Sequence, residues 1–219
     1  ENKLDMPRIS IVTPSFNQGE FIERTIQSVI SQEYPNLEYI VMDGGSTDQT
    51  LSILTRYAEH FDYWVSAPDQ GQADAINKGF GRATGEILHW LNSDDVLCPN
   101  TLFRVAEIYR DADPDVGAIV GDGEIRDSTG KLVWRPPCPE INHDTIIHWL
   151  NGTDFMQPSC FFSRQAFDEA GGLREDLNFC LDVDLWLRIE ENYRFLRIPE
   201  LFSVALSHDA AKTTAEPER

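Results

Sequence analysis

The chain has few basic side chains for its size. Of its 219 residues, 18 are Lys or Arg and 37 are Asp or Glu, which gives a formal net charge of −19 at pH 7. Such a surface repels phosphodiester backbones and anionic lipid, and the sequence has no basic stripe to offset the repulsion. We therefore expect no nucleic-acid partner. Most carboxylates are expected on a solvated surface, although a local group of them would suit a divalent cation.

Long apolar runs and cysteine pairs of the metal-binding kind are also missing. No apolar run approaches the roughly 20 residues that a membrane-spanning helix needs, and we recognise no signal peptide. The four cysteines, Cys98, Cys138, Cys160 and Cys180, form no Cys-x-x-Cys motif, which predicts reduced packing residues rather than zinc ligands. We expect a soluble, intracellular protein, and its length suits one large α/β domain.

Strand and helix patterns alternate through the first half of the chain. Four apolar runs predict strands, at Ile9–Thr13, Leu37–Met42, Tyr63–Val65 and Ile87–Leu91. Each of the first three leads into a polar turn and then a segment with helical spacing. This alternation predicts a parallel sheet joined by right-handed crossovers.

Acidic residues follow two of these strands at the points where the strands end. Asp94 and Asp95 come after Ile87–Leu91, and Asp43 comes after the second strand. Because ligands bind in the crevice outside the carboxyl ends of parallel strands, Asp94 and Asp95 are predicted to hold a divalent cation that bridges to a phosphate. Asp43 is predicted to accept hydrogen bonds from a ribose or a base edge. The alternative is structural: turn residues before a helix near Pro99, and a turn with a helix cap at Asp43.

The pattern changes beyond a predicted strand at Val116–Val120. A hairpin is predicted around Ser128-Thr129-Gly130, and a further strand is predicted over Phe155–Ser163. Asp182 then opens a predicted helix, where it is either the N-cap or a general base that takes a proton from a hydroxyl. The last predicted strand ends near His208, which is either an ordinary residue or one more metal ligand.

Five motifs, in this order, resemble those of glycosyltransferase family 2, the inverting nucleotide-sugar transferases with the GT-A fold. They are Thr13–Asn17, Asp43–Asp48, Gly71–Gly79, Trp90–Asp95 and Asp182–Arg188. The resemblance covers residues 7–209 and implies an α/β fold with a mixed, mostly parallel central sheet and helices on both faces. It implies one glycosyltransferase domain over 1–219, with a nucleotide-sugar-binding half at 7–122, an acceptor-binding half at 123–209 and a frayed tail at 210–219.

The resemblance also implies roles for single residues. The family's Asp-x-Asp motif, which binds the cation and the diphosphate, falls on Asn92, Ser93 and Asp94, with Asp95 beside them as a second metal ligand. His208 stands where a late histidine often completes the metal shell, and Asp182 stands where the family has its base. The implied nucleotide-binding residues are Pro14, Phe16, Asn17, Asp43, Gly44, Gly71, Asn77, Ser93 and Asp94.

The implied activity is transfer, with inversion, of a sugar from a nucleoside-diphosphate sugar to a saccharide or lipid-linked acceptor. A UDP-sugar is the expected donor and Mn²⁺ or Mg²⁺ the expected cofactor. Polysaccharide assembly for the cell envelope is implied too, in the cytoplasm and with peripheral association at the inner face of the cell membrane.

The sequence departs from the family pattern at two positions. Asn92 stands where Asp is common, and Leu181 replaces the acidic residue that usually precedes the base. These departures keep open a degenerate domain that binds sugar nucleotides without turnover. A sugar nucleotidyltransferase is a further alternative, but Pro14–Gly19 lacks the basic residue that such an enzyme uses to hold a triphosphate.

Overall fold

The computed structural model describes residues 6–137, 140–148, 155–177 and 179–207. The strands in these ranges are β1 Ile9–Ser15, β2 Leu37–Asp43, β3 Tyr63–Ser66, β4 Ile87–Trp90, β5 Asp95–Leu97, β6 Val116–Arg126, β7 Leu132–Trp134, β8 Cys160–Ser163 and β9 Arg194–Leu206. The α-helices are α1 Ile22–Ile30, α2 Thr50–Arg56, α3 Gln72–Phe80, α4 Thr101–Asp111, α5 His143–Ile147, α6 Arg164–Ala170 and α7 Leu181–Glu190.

The strands form one nine-stranded sheet in the order β3-β2-β1-β4-β8-β6-β9-β5, with β7 paired to β6 outside this path. The pairs β1–β2, β1–β4, β2–β3 and β6–β9 are parallel. The pairs β4–β8, β6–β8, β6–β7 and β5–β9 are antiparallel. The prediction of an α/β fold with a mixed, mostly parallel central sheet is confirmed.

Two apolar cores cover the two faces of the sheet. One contains Ile26 of α1 with Ile11 of β1, and the other contains Ile76 of α3 with Val12 of β1. Adjacent residues of β1 enter opposite cores because side chains alternate along a strand. Both faces of the central strands are therefore buried, which is why these strands are nearly continuous apolar runs.

Helix α3 lies directly on β1 because residue 79 has no side chain. A Cβ atom on Gly79 would lie 2.5 Å from Cγ1 of Val12, closer than real carbon atoms approach. Any larger residue would push the helix off the sheet. This close approach fixes α3 against the strand whose carboxyl end carries Phe16 and Asn17.

Three elements in the second half differ from the prediction. The strand predicted at Val116–Val120 continues to Arg126, because β9 pairs with β6 along this length. The strand predicted over Phe155–Ser163 begins with a 3-10 turn, Gln157–Ser159, whose Pro158 cannot donate to a ladder. The short strand β5 was not predicted, since its partner β9 lies about a hundred residues further along the chain.

Cys98, Cys160 and Cys180 are free cysteines, whereas Cys138 lies outside the described residues. Cys160 is buried and Cys98 is partly buried, as expected of packing residues, but Cys180 is exposed. Within residues 6–207, gaps excepted, no helix combines the length and the apolar character needed to cross a bilayer.

Candidate active site

The carboxyl ends of the first four strands lie at one edge of the sheet. Ser15 at the end of β1 pairs with Asp43 at the end of β2, and Asp43 in turn pairs with Ser66 at the end of β3. Near the end of β4, Trp90 pairs with Val12. The sheet therefore brings the loops that follow β1, β2, β3 and β4 together, and these loops carry most of the predicted site residues.

The loop after β1 is fastened to the loop after β2. The backbone N–H of Asn17 donates to Ser46 Oγ at 2.7 Å, and Asn17 Oδ1 accepts from the N–H of Thr47 at 2.9 Å. Asn17 adopts a left-handed conformation with φ 52°, which Asn tolerates better than most residues. The side chain of Asn17 thus joins the two loops, and its contact with nucleotide stays a prediction. Pro14 is buried within β1, whereas Phe16 is 60% exposed.

The carboxylate of Asp43 accepts hydrogen bonds from other groups of the protein. Oδ2 accepts from the N–H groups of Gly45 and Ser46 at 3.2 and 2.9 Å and from Ser66 Oγ at 2.6 Å. Oδ1 accepts from Ser46 Oγ at 2.5 Å, and the residue is 1% exposed. These contacts fit the alternative interpretation, a turn, because they hold the backbone on which Gly44 lies. The direct contact of Asp43 with a ribose or base stays a prediction.

Sequence reasoning missed Asp69, which lies over that turn. A Cβ atom on Gly44 would be 2.8 Å from Asp69 Oδ2, and Asp69 Oδ1 accepts from the N–H of Gly71 at 2.9 Å. The sequence around Asp69, Pro68–Gly71, predicts a turn, but it does not show that this turn lies against Gly44 in the fold.

Gly71, the N-cap residue of α3, faces open space. Gly71 has φ 114°, and apart from its chain neighbours no described residue has an atom within 4 Å of the position of a Cβ on it. This backbone conformation favours glycine, and the absent side chain leaves the start of the helix accessible. The N–H groups of Gln70 and Gly71 already donate to Asp74 and Asp69, so the predicted contact of Gly71 with a donor rests on the open space beside it and stays a prediction.

Asn92 connects three parts of the site. Its Oδ1 accepts from Gln72 Nε2 at 2.8 Å, and its Nδ2 lies 3.3 Å from both Asp95 Oδ2 and Gln157 Oε1. Gln157 Nε2 donates in turn to the carbonyl of Trp90 at 2.9 Å. An Asp at position 92 could not donate to either oxygen and would add a negative charge beside Asp95. The amide at this position therefore has a structural reason within this chain.

Asp94 and Asp95 form a pair of neighbouring carboxylates in which one is buried. Asp95 is 6% exposed, and its carbonyl accepts from Thr25 Oγ1 at 2.7 Å. Burial raises the pKa of Asp95 well above its usual range, the charge of Asp94 raises it further, and the amide of Asn92 lowers it. Among the described residues, Asn92 is the one side-chain donor to this carboxylate.

These two carboxylates fit a hard divalent cation. Mg²⁺ is commonly held by one or two carboxylates together with substrate phosphates, and a cation would neutralise the like charges of the pair. Within the described ranges no three His, Cys, Asp or Glu side chains converge on one point. The predicted third ligand, His208, lies outside the described residues.

Asp182 is the second residue of α7 and not its N-cap. The N-cap is Cys180, which has a left-handed conformation with φ 58° and makes no side-chain capping bond. Asp182 is half-buried, and its Oδ1 accepts from the N–H of Val183 at 2.9 Å. Leu181 packs in the core at 6% exposed, which explains why an apolar residue precedes Asp182. The N-cap interpretation of Asp182 is therefore wrong, and the general-base prediction stays open.

Asn77, predicted to bind nucleotide, has its side chain directed elsewhere. Its Nδ2 donates to the carbonyl of Leu173 at 2.8 Å, and its Oδ1 accepts from the N–H of Leu173 at 3.0 Å. A further bond joins its Nδ2 to Glu175 Oε1 at 3.1 Å. The amide is thus engaged with the loop that precedes α7, and the contact with nucleotide stays a prediction.

Comparisons with known proteins agree with this fold and arrangement. Residues 10–171 match the family model described as Glycosyl transferase family 2. An uncharacterized glycosyltransferase of Mycobacterium tuberculosis is 42% identical over 185 residues, which cover 83% of this chain and 68% of the relative.

Two solved structures share the fold at low sequence identity. S. aureus TarS 1-349 in complex with UDP-GlcNAc superposes with a TM-score of 0.76 at 19% identity, covering 95% of this chain and 61% of that one. The mannosyltransferase PcManGT from Pyrobaculum calidifontis, in complex with GDP-Man and Mn²⁺, superposes with a TM-score of 0.68 at 24% identity, covering 94% and 58%. The chain thus spans about three fifths of the length of these two proteins.

The family match covers most of the chain, the mycobacterial relative is similar over the same region, and the sheet has the GT-A arrangement. This chain belongs to glycosyltransferase family 2.

Proposed function

We propose that this chain transfers a sugar, with inversion, from a nucleoside-diphosphate sugar to a hydroxyl group of a saccharide or lipid-linked acceptor. The observation that carries the proposal is the carboxylate pair Asp94 and Asp95, which lies beyond β4 near the accessible start of α3. A phosphate-bearing donor and a cation are the ligands that such an arrangement suits. The complexes of the two structural neighbours with UDP-GlcNAc and GDP-Man support a nucleotide-sugar donor of this kind.

The donor contacts divide into direct and supporting residues. Phe16 offers an exposed ring on which a base can stack, and Gly44 and Gly71 let the backbone approach the donor closely. Ser93, which is 5% exposed, and Asp94 lie on the loop after β4 and are proposed to contact the donor as well. Pro14, Asn17 and Asp43 hold the loops in place. A UDP-sugar is the proposed donor, by analogy with the TarS complex.

Asp94 and Asp95 are the proposed ligands of Mn²⁺ or Mg²⁺, and His208 remains a predicted third. A bound divalent cation supplies Lewis-acid stabilisation to the diphosphate that leaves the sugar. The Mn²⁺ in the PcManGT complex supports this cofactor by analogy. Asn92 would keep Asp95 oriented toward the donor through its amide hydrogen bond.

Asp182 is the proposed base. The acceptor oxygen bonds to the anomeric carbon while the bond from that carbon to the phosphate oxygen breaks, and the hydroxyl proton passes to Asp182. Replacing Asp182 by Asn should preserve nucleotide affinity and lower turnover about 10²- to 10⁴-fold, the usual contribution of a positioned base. Transfer at the wild-type rate by this variant would remove Asp182 from the role.

The first test is calorimetric titration of UDP, dTDP and GDP, each with Mn²⁺ and again with EDTA. Metal-dependent binding of one nucleotide is expected, and UDP is the favoured one. No binding of any of the three would contradict the proposal. Binding without donor hydrolysis or transfer would instead support a degenerate sugar-nucleotide-binding domain, which Leu181 keeps as the second hypothesis.

The family resemblance extends this proposal in three ways. The acceptor is a saccharide or a lipid-linked molecule, the protein acts at the cytoplasmic face of the cell membrane, and its product contributes to polysaccharide assembly. Residues 123–209 are the proposed acceptor-binding half. Acceptor screening follows once the nucleotide is known.

A further inference from the structure

The side chain of Asn77 pairs with the backbone of Leu173 much as one strand pairs with another. One amide group donates to the Leu173 carbonyl and accepts from the Leu173 N–H, at 2.8 and 3.0 Å. Such a two-way contact fixes both the position and the direction of the backbone it meets. The two residues are 96 positions apart in the sequence, so this contact joins distant parts of the chain.

The chain turns around this amide. Gly171 and Gly172 both have positive φ angles, 80° and 77°, and a Cβ atom on Gly172 would lie 3.3 Å from Asn77 Oδ1. Leu173 then enters the core, where it is 4% exposed. Asn77 therefore anchors the loop between α6 and α7 at the point where that loop leaves its tight turn.

The same loop is fastened to the body of α7. Arg188 donates to the carbonyl of Ala170 and forms an ion pair with Asp184 at 2.6 Å. Arg174 lies 3.8 Å from Asp184. The loop and α7 are thus held to each other, and Asn77 holds the loop to α3.

The other end of α3 is fastened beside the carboxylate pair. Gln72 in the first turn of α3 donates to Asn92, whose amide is 3.3 Å from Asp95 Oδ2. A short rigid helix therefore connects the proposed metal ligands at one end to the loop before α7 at the other.

We infer that Asn77 is a positioning residue, which sets where α7 begins and thereby where the carboxylate of Asp182 lies relative to the donor site. This inference rests on the proposed role of Asp182 as the base. The earlier expectation, a direct nucleotide contact by Asn77, makes a different prediction. A nucleotide contact affects donor affinity, whereas a positioning contact affects turnover and the order of the loop.

The test replaces Asn77 by Asp, which keeps the size of the side chain and the acceptor for the Leu173 N–H. It removes the two donors and sets a carboxylate against the Leu173 carbonyl and the carboxylate of Glu175. Asn36→Asp is the matched control, because the Asn36 amide also donates to a backbone carbonyl, that of Met6 at 2.8 Å, at the opposite edge of the sheet.

Three quantities are measured for both variants and the wild type. They are the affinity for UDP with Mn²⁺, the kcat and KM of donor hydrolysis or transfer, and the amide hydrogen exchange of residues 173–177 and 179–184. For Asn77→Asp we expect unchanged UDP affinity, exchange faster by about tenfold or more, and kcat lower by about 10- to 100-fold with KM little changed. The control should leave all three at wild-type values.

A second substitution, at Glu175, distinguishes the loss of this contact from general destabilisation of the fold. Combining Asn77→Asp with Glu175→Gln supplies an amide that can donate to the new carboxylate, so exchange and kcat should return part of the way to wild type. Asn77→Ala, which removes the amide without adding charge, should show faster exchange and no rescue by Glu175→Gln.

The outcomes separate this inference from the proposed function. Unchanged exchange of residues 173–184 in Asn77→Asp overturns the inference, and so does a loss of UDP affinity that parallels the loss of kcat. If the wild type turns over and Asp182→Asn does so equally well, the proposed base is wrong. In that case the exchange data still decide whether Asn77 holds the loop.

Discussion

Two carboxylates near strand ends, those of Asp43 and Asp95, are both buried and differ in how many hydrogen bonds they accept. Asp43, 1% exposed at the end of β2, accepts four hydrogen bonds from Gly45, Ser46 and Ser66. Asp95, 6% exposed at the start of β5, receives one amide bond at 3.3 Å within the described residues and lies beside Asp94.

The difference shows which of the two strand ends has capacity left for a ligand. Buried polar groups are normally hydrogen-bonded, so a saturated carboxylate such as Asp43 is part of the scaffold. A buried carboxylate with a raised pKa and a like-charged neighbour is destabilising unless a further group binds there, and such groups cluster at functional sites. Strand-end position alone, which suggested a ligand role for both, does not separate them.

The largest expected effect concerns the carboxylate pair Asp94 and Asp95. Asp94→Ala should weaken Mn²⁺-dependent UDP binding by more than about 100-fold, since loss of a metal ligand exceeds the 10- to 100-fold cost of losing a residue that orients one. Titration with Mn²⁺ and with EDTA measures this. UDP affinity equal to that of the wild type with Mn²⁺ would remove Asp94 from the proposed metal site.

The next largest effect concerns Asp43, whose carboxylate accepts four hydrogen bonds within the protein. Asp43→Asn keeps the shape of the side chain, but its NH₂ group meets donors where an acceptor is needed. The free energy of unfolding should fall by about 3 kcal/mol, because hydrogen bonds to a charged group are lost and buried donors are left unpaired. Urea denaturation with EDTA present measures the loss. Stability equal to that of the wild type, together with weaker UDP binding, would restore Asp43 as a direct nucleotide ligand.

A third buried carboxylate, Glu38 at the opposite edge of the sheet, extends the comparison to a saturated group far from the site. It accepts from Ser10 Oγ at 2.5 Å, from the N–H and Oγ1 of Thr84 at 2.7 and 2.9 Å, and from Arg8 Nη2 at 3.1 Å. Burial alone would raise the pKa of Glu38, but the hydrogen bonds from Ser10 and Thr84 and the charge of Arg8 hold it below its usual range.

A lowered pKa in the folded state means that the ionised form of Glu38 stabilises the fold. That stabilisation is present above the unfolded pKa of about 4.3 and is lost as the pH falls through the lower folded value. Glu38→Gln should lower the free energy of unfolding by about 2 kcal/mol at pH 7 and make it less dependent on pH in the acid range. Unfolding curves between pH 3 and 7 that parallel those of the wild type would contradict this.

Local sequence patterns were enough for the elements that build the first half of the sheet. The strands β1, β2, β3 and β4 and the helices between them follow from apolar periodicity and turn residues. Burial on both faces makes these strands apolar throughout, so the signal is strong.

The contacts that decide the roles of site residues could not be predicted, because they join residues distant in sequence. The saturation of Asp43 depends on Ser66, which is 23 residues away, and the engagement of Asn77 depends on Leu173. Strand β5 likewise requires β9 as its partner. A turn motif specifies its own backbone but not the side chains that another strand brings to it.

The smallest expected effect is the change in stability of Asp95→Asn, which should have the opposite sign to that of Asp43→Asn. Asp95→Asn removes the free-energy cost that burial and the charge of Asp94 place on the Asp95 carboxyl group, and it keeps an oxygen to accept from Asn92. In EDTA at pH 7 we expect the free energy of unfolding to rise by about 1 kcal/mol, a size typical of stabilising substitutions at functional sites, while Mn²⁺-dependent UDP binding weakens. Asp43→Asn, measured in parallel, should change stability in the opposite direction. A loss of stability in Asp95→Asn as large as in Asp43→Asn would mean that Asp95 is a saturated scaffold residue, and only Asp94 would then remain as a proposed metal ligand among the described residues.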